Sequence, residues 1–411
     1  METEFHKNPD SLRVALIHRT FARTGGTERY GWDLAHALST LGVQVHLISS
    51  TIIDIRPGWK LHKIPIILSG LPKLWHFAWH TQHVLRSLRQ HAGVHLALSL
   101  DRIPSPGMVR LGGGCHRAHL EAVEGWQGLQ PPPRQWFNLR HPYYLWLERQ
   151  WLEGPETQAV IAVSQQVKQE LLRYYQPPDE RVEVMHNGVQ LHRFDPELHP
   201  HHRRRLRQAL GLELNALGLL LVGSGARRKG TGTALEGFAQ YLQHLREKHT
   251  PGPLPFFLVV GKDAPEVVAS WSTQAPAWLR AQVRALPPQD PIEACYAACD
   301  LLILPTRYEP FGNVCLEAMS MGLPALTSAC NGVTELYSPT LEPLKLADPS
   351  DAGALAQQLR EVTSPALLPR LAAESRRVAL QNGVEAHAAR MLALLERLAA
   401  RNTGQNPLQR I

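Results

Sequence analysis

Nothing in this chain of 411 residues stays apolar long enough to cross a bilayer. A spanning helix needs roughly 18 to 20 consecutive apolar residues, and the longest candidates here, such as LGLLLVG, have the length of a strand. Cysteine is scarce as well. Cys115, Cys295, Cys299, Cys315 and Cys330 form an odd, scattered set with no CxxC pair and no Cys/His spacing that suits zinc. That argues against a disulfide scaffold and a structural metal, and a reduced compartment is expected. The opening METEFHKNPDSLRVALIHR lacks a basic n-region, an apolar h-region and a small-residue cleavage site, so no secretory leader is expected and the protein should be cytoplasmic. There is no repeat of solenoid period, no extended low-complexity tract, and no zinc-finger or RNP signature.

What is present has the balance of a globular protein, with 44% hydrophobic and 19% charged residues. At about 150 residues per domain the length implies two domains with large cores. Lys and Arg outnumber Asp and Glu by 43 to 36, a formal charge of +7 that points to an anionic partner. The basic residues are interleaved with Trp, Tyr and Pro rather than carried on a nucleic-acid module, which favours a membrane surface or an acidic substrate over nucleic acid.

The segment LRVALIHRTFARTGGTERYGWDLAHALSTLGVQVHLISS predicts a strand, a glycine loop, an amphipathic helix ending near Gly42 and a second strand, the βαβ unit that opens a parallel sheet. Further strands are expected at 95–100, 159–163 and 182–186, followed by a basic stretch, HHRRRLR, that predicts a solvated connector or helix start. A second alternating series runs through ALGLLLVGSG, FFLVVGKD, QVRALPP, LLILPT and PALTS. The fold class is therefore α/β, with two doubly wound Rossmann-like domains facing across a cleft, where ligands bind at strand ends. The expected division is 1–192, 193–380 and a C-terminal helix within 381–411 that packs back toward the first domain.

The densest chemistry lies in PTRYEPFGNVCLEAMSMGLPALTSACNGVTEL. It follows a strand and leads through Gly312 and Asn313 into a helix expected to end near Gly322. The amides of Phe311, Gly312, Asn313 and Val314 at that helix start suit a phosphate. Glu309, in the preceding loop, would repel one, so it should turn toward neutral hydroxyls, to which a carboxylate bonds well. In VGSGARRKGTGTALEGF a strand feeds a glycine turn at Gly223 and then Arg227, Arg228 and Lys229. This is neither a Walker A loop nor a complete GxGxxG, but its cations suit a diphosphate.

Glu309 and Glu317 within EPFGNVCLE resemble the E-x7-E motif of the retaining family 4 glycosyltransferases of GT-B fold, and the surrounding sequence is similar to that family almost throughout. The resemblance implies that Glu309 contacts the donor sugar, Glu317 the ribose, and the intervening amides the diphosphate. It implies that GSG…RKG is the diphosphate clamp, with Lys229 as main counter-charge and Arg228 as partner. Gly25 and Gly26 in TGGTERYGWDLAHAL resemble the N-terminal glycine loop that approaches the diphosphate and acceptor; Glu28 and Arg29 are acceptor contacts or surface charge. In VRLGGGCHRAHLEAVEGW, His116 matches the active-site histidine and His119 is the fallback, while Gly113 stands where relatives often carry an acid. Asn187 and Gly188 resemble the interdomain NGV turn, Glu335 resembles a recurring acid, and the resemblance implies that Lys262 borders the nucleotide and that the backbone of 284–286 falls at the base-binding strand.

The chain as a whole looks most like the bacterial lipopolysaccharide core glycosyltransferases. The implied activity is transfer of a hexose from a nucleoside diphosphate sugar, UDP favoured, to a lipid-linked or lipopolysaccharide core saccharide. Anomeric retention, no metal and no cofactor are expected, and no Asp-x-Asp element is found. The competing readings are a scaffold that binds nucleotide sugar or a membrane surface without catalysis, and an epimerase on the same fold. Finally, 58–91 mixes Trp59, Leu74, Trp75, Phe77 and Trp79 with Lys60, Lys63, Lys73, Arg86 and Arg89. Such a segment either docks peripherally on an anionic inner membrane surface or supplies core to the first domain.

Overall fold

The computed structural model describes residues 11–403 apart from 24, 66–69, 105–106, 128–129 and 131–137. The chain forms two compact units, one of residues up to 118 with 126–186 and 384 onward, the other of 119–125 and 187–383. The break falls between His186 and Asn187 rather than after residue 192. The NGV turn goes with the second unit because Asn187 Nδ2 donates to Asn313 Oδ1 at 2.7 Å and Val189 bridges to Gly383.

The first unit contains β1 (Arg13–Ile17), β2 (Thr20–Phe21), β3 (Gln44–Ser49), β4 (Thr51–Ile52), β5 (Lys60–Lys63), β6 (Leu96–Ser99), β7 (Met108–Leu111), β8 (Ala159–Ala162) and β9 (Val182–Val184). Seven of these form a parallel sheet in the order β5-β3-β1-β6-β7-β8-β9, with β2 and β4 as a separate pair. Runs such as VALI and LALS are buried throughout, as strands covered by helices on both faces must be. The strands at 60–63 and 108–111 were not foreseen. The helix Val384–Thr403 belongs to this unit, where Met391, Leu394, Leu395 and Leu398 pack into one core cluster with Val14, Leu16, Trp32 and Leu34.

The second unit contains β10 (Gly218–Val222), β11 (Phe256–Val260), β12 (Val283–Leu286), β13 (Leu301–Leu304), β14 (Ala325–Ser328) and β15 (Lys345–Leu346), a six-stranded parallel sheet in the order β12-β11-β10-β13-β14-β15. HHRRRLR is more than a solvated connector. It enters the helix His202–Ala209, and Arg207 is fully buried beside Phe256. Its guanidinium donates to the carbonyls of Ala298, Glu213, Leu214 and Ala216 and to Asp300, which in turn accepts from the Gly218 amide at the start of β10. A buried charge is tolerable only when so fully bonded.

Both sheets reverse their direction of winding once, between β1 and β6 and between β10 and β13. At such a switch point neighbouring connections leave in opposite directions, opening a crevice at the carboxyl ends of the two strands.

Candidate functional site

The predicted clamp sits at the switch point of the second sheet. β10 ends at Val222, and Gly223 (φ +139°) turns the chain so that its bare α-carbon lies against the Lys229 side chain; a Cβ there would meet Lys229 Cε at 2.9 Å. Arg228 and Lys229 close the single turn Ala226–Lys229, and Gly230 follows at φ +71°. A Cβ on Gly230 would stand 1.9 Å from the Pro305 carbonyl oxygen, so only glycine lets the clamp approach the segment after β13. That segment returns the contact: Arg307 N and Thr306 Oγ1 both donate to the Arg228 carbonyl, at 2.8 and 2.9 Å.

Glu309 is held between these two loops. Its backbone bonds to Cys330 and Gly332, and its Oε2 accepts from Arg228 Nη1 at 2.6 Å and from Lys229 Nζ. The carboxylate thus faces two cations, an ion pair that sequence reasoning did not foresee, and among the described residues it is the carboxylate that pairs with the buried Lys229. Burial alone would push the Glu309 carboxyl up, but the charges and hydrogen bonds of Lys229 and Arg228 together hold it below the ordinary carboxylate range. The amides of Gly225 and Ala226 donate to Asp263, at 3.1 and 2.6 Å, so those two are already committed and the cations of the turn are the groups suited to an anion.

Beyond Glu309, Phe311 is buried and Gly312 leads into the helix Asn313–Ser320, whose first turn carries no side-chain cap. Val314 is half-buried in that turn, and Glu317 follows on the same helix. Glu317 Oε2 accepts from the buried Tyr296 hydroxyl at 2.7 Å. Lys262 is exposed, with its amide bonded to Ser224 Oγ, and Arg284 turns its side chain to the Leu210 carbonyl while its backbone pairs with β11. Glu335 lies in the 3-10 turn Gly332–Leu336.

The remaining predicted residues lie in the first unit, apart from His119. Gly25 (φ +89°) and Gly26 precede the helix Thr27–Thr40, with the Glu28 carboxylate folded against Gly25 and Arg29 paired to Asp33. His116 is buried, and its ring Nε2 lies 3.1 Å from His141 Nδ1, edge-on to Tyr144. Its backbone N–H donates to Glu148 Oε1 at 2.5 Å. Glu148 is itself fully buried and accepts from the Tyr175 hydroxyl; burial raises its carboxyl although Arg102 and these bonds oppose the shift. His119 belongs to the second unit, edge-on to Tyr308 with ring centroids 5.8 Å apart.

Sequence reasoning missed His141, Tyr144 and Glu148, the supports of His116, and Asp263 and Tyr296, the supports of the clamp and of Glu317. A signal existed for the first group. In HPYYLWLERQ the spacing of 141, 144 and 148 places all three on one face of the helix Arg140–Glu153.

The segment 58–91 supplies core to the first unit at some positions and is exposed at others; 66–69 lie outside the described residues. Trp59, Leu74 and Phe77 are core, whereas Trp75 and Trp79 are 52% and 59% exposed on the helix Gly70–His91. Trp75 stacks with Trp146 and lies beside Tyr143, and Leu139 is exposed nearby in sequence. Among the described residues no helix is long and apolar enough to cross a membrane, and no group of three or more His, Cys, Asp or Glu could hold a metal ion.

Comparison with known proteins adds the following. A family model described as Glycosyltransferase Family 4 matches residues 24–193, and one described as Glycosyl transferases group 1 matches residues 216–364. A probable transglycosylase of Burkholderia thailandensis is 28% identical over 403 residues, 96% of this chain and 100% of its own length. The lipopolysaccharide glucosyltransferase WaaG of Escherichia coli is 28% identical over 239 residues, 58% of this chain and 62% of WaaG. A crystal structure of WaaG, a glycosyltransferase involved in lipopolysaccharide biosynthesis, superposes with a TM-score of 0.74 at 22% identity, covering 95% of this chain and 100% of that one. Anabaena HepE in complex with UDP-glucose gives 0.67 at 16% identity, covering 94% and 100%. At these identities the two structures speak for the fold.

The depressed Glu309 carboxyl yields a pH prediction. Its contribution to stability is present above the unfolded-chain value, roughly 4.3, and is lost as pH falls through the lower folded value. In Lys229→Met the push from burial remains and one of the two cations is gone, so that loss moves to higher pH. Urea unfolding across pH 3 to 7, with the Glu309 carboxyl followed by carbon NMR, should show both changes; superimposable acid limbs for the two proteins would refute the ion-pair account.

Proposed function

The chain belongs to the family 4, group 1 glycosyltransferases and is a glycosyltransferase of the GT-B type, and from that premise we propose that it moves a hexose from a nucleoside diphosphate sugar to a saccharide acceptor with retention at the anomeric carbon. The observation that carries the proposal is the meeting of Lys229, Arg228 and Glu309 at the switch point of the second sheet. A donor diphosphate and Glu309 compete for the same two cations. As the diphosphate takes them over, Glu309 is released to the hydroxyls of the sugar.

Departure of the diphosphate concentrates negative charge on its oxygens, so fixed cations bind the transition state more tightly than the ground state. Lys229 and Arg228 supply that charge, the first turn of Asn313–Ser320 adds amides, and Glu317 takes the ribose. His116, oriented by His141 and Glu148, hydrogen-bonds the transferred sugar. No protein nucleophile is assigned: the acceptor proton passes to a donor phosphate oxygen on the face that the leaving group vacates. The reaction so drawn uses no metal and no cofactor beyond the donor.

UDP is the favoured nucleotide of the donor, a choice supported by the likeness of fold to HepE, whose structure is a complex with UDP-glucose. The acceptor proposed is a lipid-linked or lipopolysaccharide core saccharide, supported by the sequence similarity to WaaG. In this reading the second unit takes the donor and the first unit the acceptor. The enzyme works at the cytoplasmic face of the inner membrane, to which Trp75, Trp79, Tyr143 and Trp146 attach it, with Lys73, Arg86 and Arg89 meeting anionic headgroups.

Lys229→Ala should cost about 1.5 to 3 kcal/mol of transition-state stabilisation, or about 10- to 150-fold in the kcat/KM of donor hydrolysis or transfer. Wild-type turnover and donor affinity in that variant would remove the clamp from the mechanism. For the membrane reading, Trp75→Ser/Trp79→Ser should lower sedimentation with vesicles rich in phosphatidylglycerol; equal partitioning of the wild type on anionic and neutral vesicles would count against it.

A further inference from the structure

The first sheet has a switch point of its own, and charged side chains gather there that the mechanism does not use. β1 delivers His18 and Arg19 at its carboxyl end, and β6 delivers Asp101 and Arg102. Asp101 is buried and its oxygens are taken. Oδ2 accepts the Arg19 amide at 2.5 Å and lies 3.1 Å from His18 Nδ1, while Oδ1 accepts Arg19 Nε and Nη2 at 3.1 and 3.0 Å. Arg19 is thereby neutralised.

Arg102 is not. Its backbone is set by its neighbours, since Asp101 is held as described and the Ile103 carbonyl accepts Trp151 Nε1 at 2.8 Å. Its guanidinium lies over the Tyr144 ring, Cζ 4.8 Å from the centroid, and its Nη1 is buried with no hydrogen-bond partner. Among the described residues it enters no ion pair: Glu148 feels its charge, but the oxygens of Glu148 serve His116 and Tyr175. Nη2 points toward Gly113, 3.6 Å from where a Cβ would stand, and Gly113 is exposed and has no side chain to cover it. Tyr144, which carries Arg102 on its face, also stands edge-on to His116.

A guanidinium with a buried N–H unsatisfied and, among the described residues, no ion pair of its own is costly to fold. It is also pre-organised for a planar, two-point bond to an oxyanion. Its place at the carboxyl ends of the strands flanking a switch point is where open parallel sheets take ligands. We propose that Arg102 is the anion-recognising residue of this site and binds an oxyanionic substituent, phosphate or carboxylate, on the acceptor saccharide. The assignment of that ligand to the acceptor rests on the reading that the first domain binds it. The specificity follows directly: a saccharide without the anion leaves the buried N–H unsatisfied and binds less well.

The test is ligand-observed NMR titration of the full chain with glucose 6-phosphate, glucuronate and glucose, with saturating UDP present to occupy Lys229 and Arg228. The wild type should bind at least one anionic sugar about tenfold or more tightly than glucose, and which one identifies the oxyanion. Arg102→Gln should bring all three to within about twofold, Arg102→Lys should keep part of the preference, and the exposed Arg204→Gln should keep all of it. No preference in the wild type, or a preference that survives Arg102→Gln in a protein with unaltered Tm, would overturn the proposal. Failure of UDP to bind with the Arg102 dependence intact would instead strike the donor reading and leave this site standing.

Discussion

The contact between Lys229 and Glu309 is the constraint on which the second unit's site depends. An ammonium taken out of water must find a carboxylate, and a carboxylate as enclosed as Glu309 must find more than one donor. The bond therefore locks the loop after β10 to the loop after β13, and the details around it follow. Gly230 is bare because Pro305 passes against it, the Arg228 carbonyl is bonded from Thr306 and Arg307, and Asp263 holds the amides of Gly225 and Ala226. The same bond keeps two cations fixed and charged where a diphosphate can replace one carboxylate, so little reorganisation is needed when negative charge develops.

The sheets explain why charge gathers at these places. In a parallel sheet the strands are covered on both faces and offer chemistry only at their ends, and the reversal of winding opens the ends of one neighbouring pair in each sheet. The second sheet places Lys229 and Glu309 at that opening. The first places Arg19, Asp101 and Arg102 there, with His116 at the start of the helical turn His116–His119 that follows β7 and steadied by a buried carboxylate from the helix Arg140–Glu153. Two sheets of the same design thus present one cation-rich strand end each, the first with a guanidinium whose buried Nη1 has no hydrogen-bond partner.

Much of this was legible in the amino-acid sequence. The alternation of apolar runs with amphipathic segments predicted both sheets, and the E-x7-E and RKG stretches predicted the residues that meet at the second switch point, because each combines a local pattern with a strand end. What was not legible depended on partners distant in sequence. Nothing local says that Glu309 turns to Lys229 rather than to open solvent, that Glu148 is buried under the His116 amide, or that Asp101 bonds Arg19 while the buried Nη1 of Arg102 has no hydrogen-bond partner. The segment 58–91 shows the same limit from another side. Its composition was informative, but which tryptophan faces the core depends on helix phase and on what the helix Arg140–Glu153 covers.

The most direct test of the central claim, that the Lys229–Arg228–Glu309 junction is a diphosphate site, is thermal unfolding of the full chain against UDP, GDP and ADP and their glucose or mannose conjugates. A native-state ligand at 100 times its Kd adds roughly 2.7 kcal/mol of stability. One base should raise the Tm selectively, its nucleoside without phosphates should not, and Lys229→Met should abolish most of the shift while remaining folded. If no nucleoside diphosphate or sugar conjugate raises the Tm of the wild type, or if the shift is undiminished in Lys229→Met, the junction does not bind a diphosphate and the account is contradicted.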